Sequence, residues 1–203
     1  MSLLPFLLTP GIFGAEMDDA GQAVPLHPQE EILVAKAGPK RRRDFALGRA
    51  CARAALAALG QEDVVVGRSE NGAPLWPAGV LGSITHTSGY AAALVAGAQH
   101  AGGLGIDAER VGGVTQDLWP RLFDAAECDY LSDVGAGQQQ VFATLFFSAK
   151  EAVYKASGTQ SGLAFRAIHI TPEEGGFTAA WSGEIFRGHY VLRDDLMLTA
   201  VWF

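Results

Sequence analysis

Residues 104–110 read LGIDAER, and residues 147–156 read FSAKEAVYKA. The first stretch is short, apolar where it begins and preceded by Gly102 and Gly103, which predicts a β-strand. Side chains two apart on a strand leave the same face, so Asp107 and Glu109 point together. The second stretch lies in residues 138–157, an apolar-periodic run stopped by Gly158, which predicts the chain's strongest helix. On that helix Glu151 and Lys155, four apart, share a face. Phe147 and Tyr154 mark much of it as packed. A strand with two carboxylates and a helix with a third set the plan for the rest of the reading.

Upstream, residues 41–59 form an alanine-rich helix closed by Gly60, with Phe45, Ala52, Leu56 and Leu59 near one face and Arg42, Arg49 and Arg53 beside it. Residues 64–66 read as a short strand, 71–79 as a turn-rich loop, 80–86 as a strand and 90–96 as a buried strand. Residues 16–39 are mixed and loop-like. Downstream, 117–133 reads as helical with an interruption near Pro120. From Ile168 onward, strand-like segments alternate with Gly and Asp turns. The expectation is an α+β fold of two similar-sized halves meeting near Gly102–Gly103.

Composition bounds the function. The chain has 203 residues, 49% hydrophobic and 18% charged, enough for one large domain or two small ones with buried cores. A net charge of −7 argues against a dedicated nucleic-acid binder. Cys51 and Cys128 provide neither a disulfide framework nor a zinc site, and are expected to be reduced core residues of a cytoplasmic protein. The apolar start, MSLLPFLLTPGIFG, has no positive n-region and is broken by Pro5 and Pro10, so it reads as a buried beginning of the fold. No apolar run reaches the ~20 residues of a membrane span.

Four groups could carry chemistry. Asp107 and Glu109 suit a hard divalent cation such as magnesium, which prefers oxygen ligands and completes its shell with water and phosphate; alone, such a pair more often marks a solvated strand end. Lys150, Glu151 and Lys155 offer one carboxylate and two amines, or a surface ion pair. In residues 83–87, SITHT, His86 and the hydroxyl of Ser83 or Thr85 could hold a phosphate, or the histidine could be satisfied by backbone. Lys40 to Arg43, with Arg49 and Arg53, could bind phosphate through arginine's bidentate fork, or Arg42 and Arg43 belong to a solvated helix start; the cations at the helix N-terminus oppose its dipole, a cost that an anionic ligand would offset. Together they describe a site for a polyphosphate and a divalent cation.

The pair GIDAER and FSAKEAVYKA, about forty residues apart, resembles the two signature motifs of the 4'-phosphopantetheinyl transferases. The upstream text RRRDFALGRACARAAL and GAPLWPAGVLGSITHTSGY resembles the enterobactin-synthetase-like branch of the surfactin-type class, so the resemblance covers most of residues 41–156. It implies a pseudo-dimer of two similar α+β halves with the active site between them. Residues 1–102 would contact the phosphates and adenine of coenzyme A; residues 103–203 would carry the magnesium site and the catalytic helix. Asp107, Glu109 and Glu151 are then the magnesium ligands. Arg41 and Arg49 hold the 3'-phosphate region, Thr85 and His86 contact phosphate, Gly72 and Ala73 lie along the adenine, Lys150 and Lys155 face the pyrophosphate, and Leu163 borders the pantetheine arm. Some relatives carry lysine where Ala73 sits, so that position would act through its backbone.

The implied reaction moves 4'-phosphopantetheine from coenzyme A to a serine of an apo acyl or peptidyl carrier protein, of siderophore, nonribosomal-peptide or polyketide synthesis, with Glu151 and Lys155 as catalytic residues of a cytoplasmic monomer. The same carboxylates would serve a magnesium-dependent nucleotide pyrophosphohydrolase, and a non-catalytic coenzyme A-binding module would use the phosphate contacts alone.

Overall fold

A computed structural model of the chain describes residues 2–158 and 165–203. Its elements run β1 (Ile12–Asp18), α1 (Pro28–Leu33), α2 (Pro39–Ala58), β2 (Gly67–Arg68), β3 (Pro74–Leu75), β4 (Val80–Thr87), β5 (Tyr90–Gly97), β6 (Leu104–Arg110), α3 (Trp119–Leu122), α4 (Ala125–Asp133), α5 (Ala136–Ala156), β7 (His169–Glu173), β8 (Gly176–Trp181), β9 (Glu184–Arg193) and β10 (Leu196–Trp202). They build an α+β fold with two main antiparallel sheets, β1-β5-β4 and β6-β10-β9-β8-β7.

Strand β5 explains the layering. Its residues Tyr90 to Gly97 are all buried, because the two faces of the strand serve different cores. Ala91, Ala93 and Val95 pack under α2 with Leu47, Cys51, Ala55 and Leu56. Tyr90, Ala92, Leu94 and Ala96 face the other way, into a core shared with Ile106 and Ala108 of β6 and Leu198 and Ala200 of β10. On the far side of the second sheet, Met197 and Val201 join Phe146, Ala149, Ala152 and Val153 of α5. The layers are thus α2, first sheet, second sheet, α5. A continuous apolar run on β5 is what period-two alternation requires of a strand covered on both faces.

The sheets meet along β4 and β6, where hydroxyls replace a backbone ladder. Ser83 Oγ accepts from the Ile106 amide at 3.1 Å, and Thr85 Oγ1 accepts from the Ala108 amide at 3.0 Å. These bonds satisfy amides on the open edge of β6.

Several local expectations change. Residues 64–66 join no ladder; Val66 is buried with its amide directed to Glu30 Oε1. Residues 16–39, read as loop, contain the end of β1 and the helix α1. The helical stretch near Pro120 breaks at Phe123 instead: Pro120 occupies a first-turn position where its missing N–H costs nothing, and Asp124 starts α4 with a capping box closed by Glu127. Leu3, Leu4, Leu7 and Ile12 are buried, as the apolar start predicts. Cys51 and Cys128 are both free thiols, and Cys128 is only half-buried. Among the described residues no helix is long and apolar enough to cross a membrane.

Candidate active site

Asp107 lies in the middle of β6 on the face turned to α5, opposite Thr199 of β10, and is 4% exposed. Glycine sets the helix–strand distance here. A Cβ on Gly105 would overlap the carbonyl oxygen of Ala152, so the α5 backbone rides directly on the strand two residues before Asp107. That contact brings Glu151 and Lys155 to the strand's carboxylates.

Both oxygens of Asp107 are engaged. Oδ1 accepts from Lys155 Nζ at 2.6 Å and from Thr85 Oγ1 at 3.2 Å; Oδ2 accepts from Ser148 Oγ at 2.8 Å. Lys155 also donates to the Ile106 carbonyl at 3.1 Å. Glu109 and Glu151 sit half-buried within electrostatic range of Asp107 and of Lys155. Desolvation and then the charge on Asp107, with a further contribution from Glu151, push Glu109 up to about 7 against the opposing effect of Lys155. Desolvation also raises Glu151, with Lys155 opposing and Asp107 adding to the rise. The three carboxylates share a region without forming a closed cage, since their oxygens do not all lie within 4.8 Å of one another.

The residues expected to contact phosphate come from the first sheet and α2. His86, at the end of β4, reaches solvent and is surrounded by Asp44, Arg41, Lys155 and Lys40. Desolvation and then these cations hold its imidazole below the ordinary value, with Asp44 opposing. Arg41 is exposed and has no carboxylate partner among the described residues. Its neighbours on the basic turn do: Lys40 pairs with Asp44, Arg42 with Glu31 and Arg43 with Asp19. Arg49 is deeper than the sequence suggests, at 4% exposure, with Nη2 donating to the Gly67 carbonyl at 2.9 Å and its guanidinium 4.4 Å from the Phe45 ring centroid. Burial lowers it to about 10, so it stays charged at neutral pH.

A cavity of about 460 Å³ opens beside Lys155, between the β3 loop, β4, the start of β6 and the end of α5. Ala73, Trp76, Ile84, Leu104 and Tyr154 line it. Gly72 occupies the β2–β3 turn at φ +93°, a left-handed conformation that favours glycine, with the Arg68 guanidinium against it.

Two expected phosphate contacts lie elsewhere. Lys150 does not face the Asp107 region. It is fully buried, 2.6 Å from Glu127 Oε2 and 3.0 Å from the Leu122 carbonyl, because one residue along a helix turns a side chain by about 100°. Burial raises Glu127 and lowers Lys150, and their mutual attraction opposes both shifts. Thr85 is 3% exposed, and its hydroxyl is spent on Asp107 and the Ala108 amide. Leu163 lies outside the described residues. Sequence reading missed Ser148, Thr199 and Glu127; only Glu127 had a visible signal, as the acidic end of the capping pattern starting at Asp124.

Asp124, Glu127 and His169 form the one close group of potential metal ligands among the described residues. It is already saturated. Glu127 accepts from Lys150, the Asp124 amide and the Ile170 amide, and Asp124 Oδ2 lies 2.6 Å from His169 Nδ1. An ammonium stands where a metal would need to be.

Carboxylates, a lysine, a histidine and an arginine thus gather at the junction of the two sheets, beside a roomy cavity, as in a protein that handles polyphosphate. Residues 29–96 match the 4'-phosphopantetheinyl transferase N-terminal domain, and residues 103–201 match the 4'-phosphopantetheinyl transferase superfamily. The 4'-phosphopantetheinyl transferase Npt of Nocardia iowensis is 35% identical, covering 98% of this chain and 99% of the relative. The 4'-phosphopantetheinyl transferase Svp of Streptomyces mobaraensis is 37% identical over 87% of this chain and 78% of its own length. Enterobactin synthase component D of Escherichia coli is 31% identical over 80% of this chain and 78% of that protein. The chain belongs to the 4'-phosphopantetheinyl transferase superfamily and is a transferase that modifies carrier proteins.

Proposed function

We propose that the chain transfers 4'-phosphopantetheine from coenzyme A to a serine of an apo acyl or peptidyl carrier protein, with Asp107, Glu109 and Glu151 holding magnesium. The observation that carries this reading is the imbalance of charge around Asp107. Three carboxylates face one ammonium, and burial with mutual repulsion raises Glu109 to about 7. A hard cation with oxygen ligands relieves that repulsion, so the donor set fits magnesium. Lys155, with Nζ 2.6 Å from Asp107 Oδ1, is the cation partner of this carboxylate. When bound, magnesium would offset charge on the pyrophosphate oxygens.

The chain's own residues do the rest. Arg41 and His86 hold the nucleotide phosphates, with Arg49 adding positive charge from the same helix as Arg41. The cavity lined by Ala73, Trp76, Ile84, Leu104 and Tyr154 accepts the organic part of coenzyme A. The carrier serine hydroxyl attacks the β-phosphorus in line; the new Oγ–P bond forms as the bridging P–O bond breaks, and 3',5'-ADP leaves. Glu151 has two carboxylate oxygens, so one can face the cation while the other accepts the serine proton, and burial raises this carboxyl above its ordinary value. Lys155, a mobile point charge, balances the departing phosphate. Of the two lysines that the resemblance assigns to the pyrophosphate, Lys155 stands beside Asp107 and the cavity, whereas Lys150 is buried against Glu127.

Mass spectrometry of an apo carrier protein mixed with this protein, coenzyme A and magnesium tests the proposal. The expected product is the carrier with one added phosphopantetheine, lost in excess chelator. Release of 3',5'-ADP without a carrier would instead identify a pyrophosphohydrolase, and ligand binding with no modified carrier a binding module.

A further inference from the structure

Ser148 and Thr199 form a hydroxyl pair, 2.8 Å apart and both fully buried, in an otherwise apolar layer between α5 and the second sheet. A serine in mid-helix ordinarily returns its proton to the carbonyl four residues back. Thr144, one turn earlier, does so, donating to Gln140 at 2.7 Å. Ser148 instead donates to Asp107 Oδ2 at 2.8 Å. A carboxylate only accepts, so the single Ser148 proton is committed there. Thr199 must then be the donor of the pair, to Ser148 Oγ or to the Ser148 carbonyl at 3.0 Å. Thr199 is also the cross-strand partner of Asp107, which fixes the two on one sheet face. The Ser148 proton thus goes to Asp107, and Thr199 supports Ser148 through one of these two acceptors.

We infer that Ser148, backed by Thr199, is a positioning residue that sets the plane of the Asp107 carboxylate. With Oδ2 held by Ser148, Oδ1 is the oxygen turned to Lys155, where Thr85 Oγ1 also donates to it at 3.2 Å. The inference rests on the reading that Asp107 is a metal ligand. Outer hydrogen bonds of this kind fix a ligating group's orientation, and losing one weakens metal affinity by about 10–100-fold.

Manganese, detected by electron paramagnetic resonance, serves as the probe, and coenzyme A binding in chelator is measured in parallel by calorimetry. Ser148→Ala is expected to weaken manganese binding about tenfold while coenzyme A affinity without metal stays at the wild-type value. Thr199→Val weakens manganese in the same direction by a smaller factor, and Thr199→Ser, which keeps the hydroxyl, retains wild-type affinity. Wild-type manganese binding with no loss in Ser148→Ala overturns the inference and leaves the transferase reading standing. Equal loss of manganese and metal-free coenzyme A affinity also overturns it, because the hydroxyl would then support the fold generally. If the wild-type protein binds no manganese, the metal site itself is refuted and the inference falls with it.

Discussion

The ammonium of Lys155 lies 2.6 Å from Oδ1 of Asp107 and 3.1 Å from the carbonyl of Ile106, so one helix residue ties the end of α5 to the centre of β6. The same side chain lines the cavity assigned to coenzyme A. On the proposed mechanism this lysine has two tasks: it pairs with Asp107 and it meets the substrate's phosphate during turnover.

Lys155→Met separates these tasks. Turnover is expected to fall by at least about tenfold, as for loss of one electrostatic stabiliser, with a smaller change in coenzyme A affinity. Without metal, the variant has a lower melting temperature than wild type, and magnesium raises that temperature more than in wild type, because no ammonium competes for Oδ1. Steady-state kinetics and thermal melts with and without magnesium check both parts; a fall in affinity alone would contradict the leaving-group role.

The titration of Glu109 predicts a pH dependence of stability. Its folded value is about 7, above the ordinary 4.5, so the folded state holds the proton more tightly than the unfolded chain. Its contribution is therefore fully present below about 4.5 and lost as pH rises through about 7. In chelator, the melting temperature should decline across that window. The decline should shrink in Glu109→Gln and in the presence of magnesium, whose charge favours the ionised carboxylate. A profile identical in wild type and Glu109→Gln would refute the assignment.

Lys150 and Glu127 predict a stability effect in place of a catalytic one. Removing one member of a fully buried pair leaves an uncompensated charge and costs about 3–5 kcal/mol. Lys150→Met should shift the urea midpoint accordingly, and adding Glu127→Gln, which removes the charge and keeps an acceptor for the Asp124 and Ile170 amides, should recover part of the loss. A Lys150→Met protein of wild-type stability that binds coenzyme A weakly would return this lysine to the phosphates.

Gly105→Ala tests how the site is assembled. The added methyl would meet the Ala152 backbone carbonyl, which cannot rotate away as a side chain could. Forcing α5 off β6 should destabilise by about 1–3 kcal/mol or more. Activity should fall further than stability explains, because Asp107 and Glu151 lie within two residues of the contact. Urea unfolding and transfer rates measured on the same preparation decide it.

The sequence by itself determined the strand 104–110, the two long helices, the facing of Asp107 with Glu109 and of Glu151 with Lys155, and the family. Each is a matter of local period or short motif, which covalent geometry translates directly into direction. Only the tertiary structure decided that Lys150 is an anchor buried on Glu127, that Thr85 turns inward to Asp107, and that Ser148 and Thr199 stand behind the same carboxylate. Those roles depend on partners 22 to 51 residues away, on which side of a helix meets a sheet, and on which edge amide lacks a neighbour. Hydroxyls and lysines have no sequence pattern that distinguishes a ligand contact from a buried hydrogen bond, because the difference is made by what packs against them.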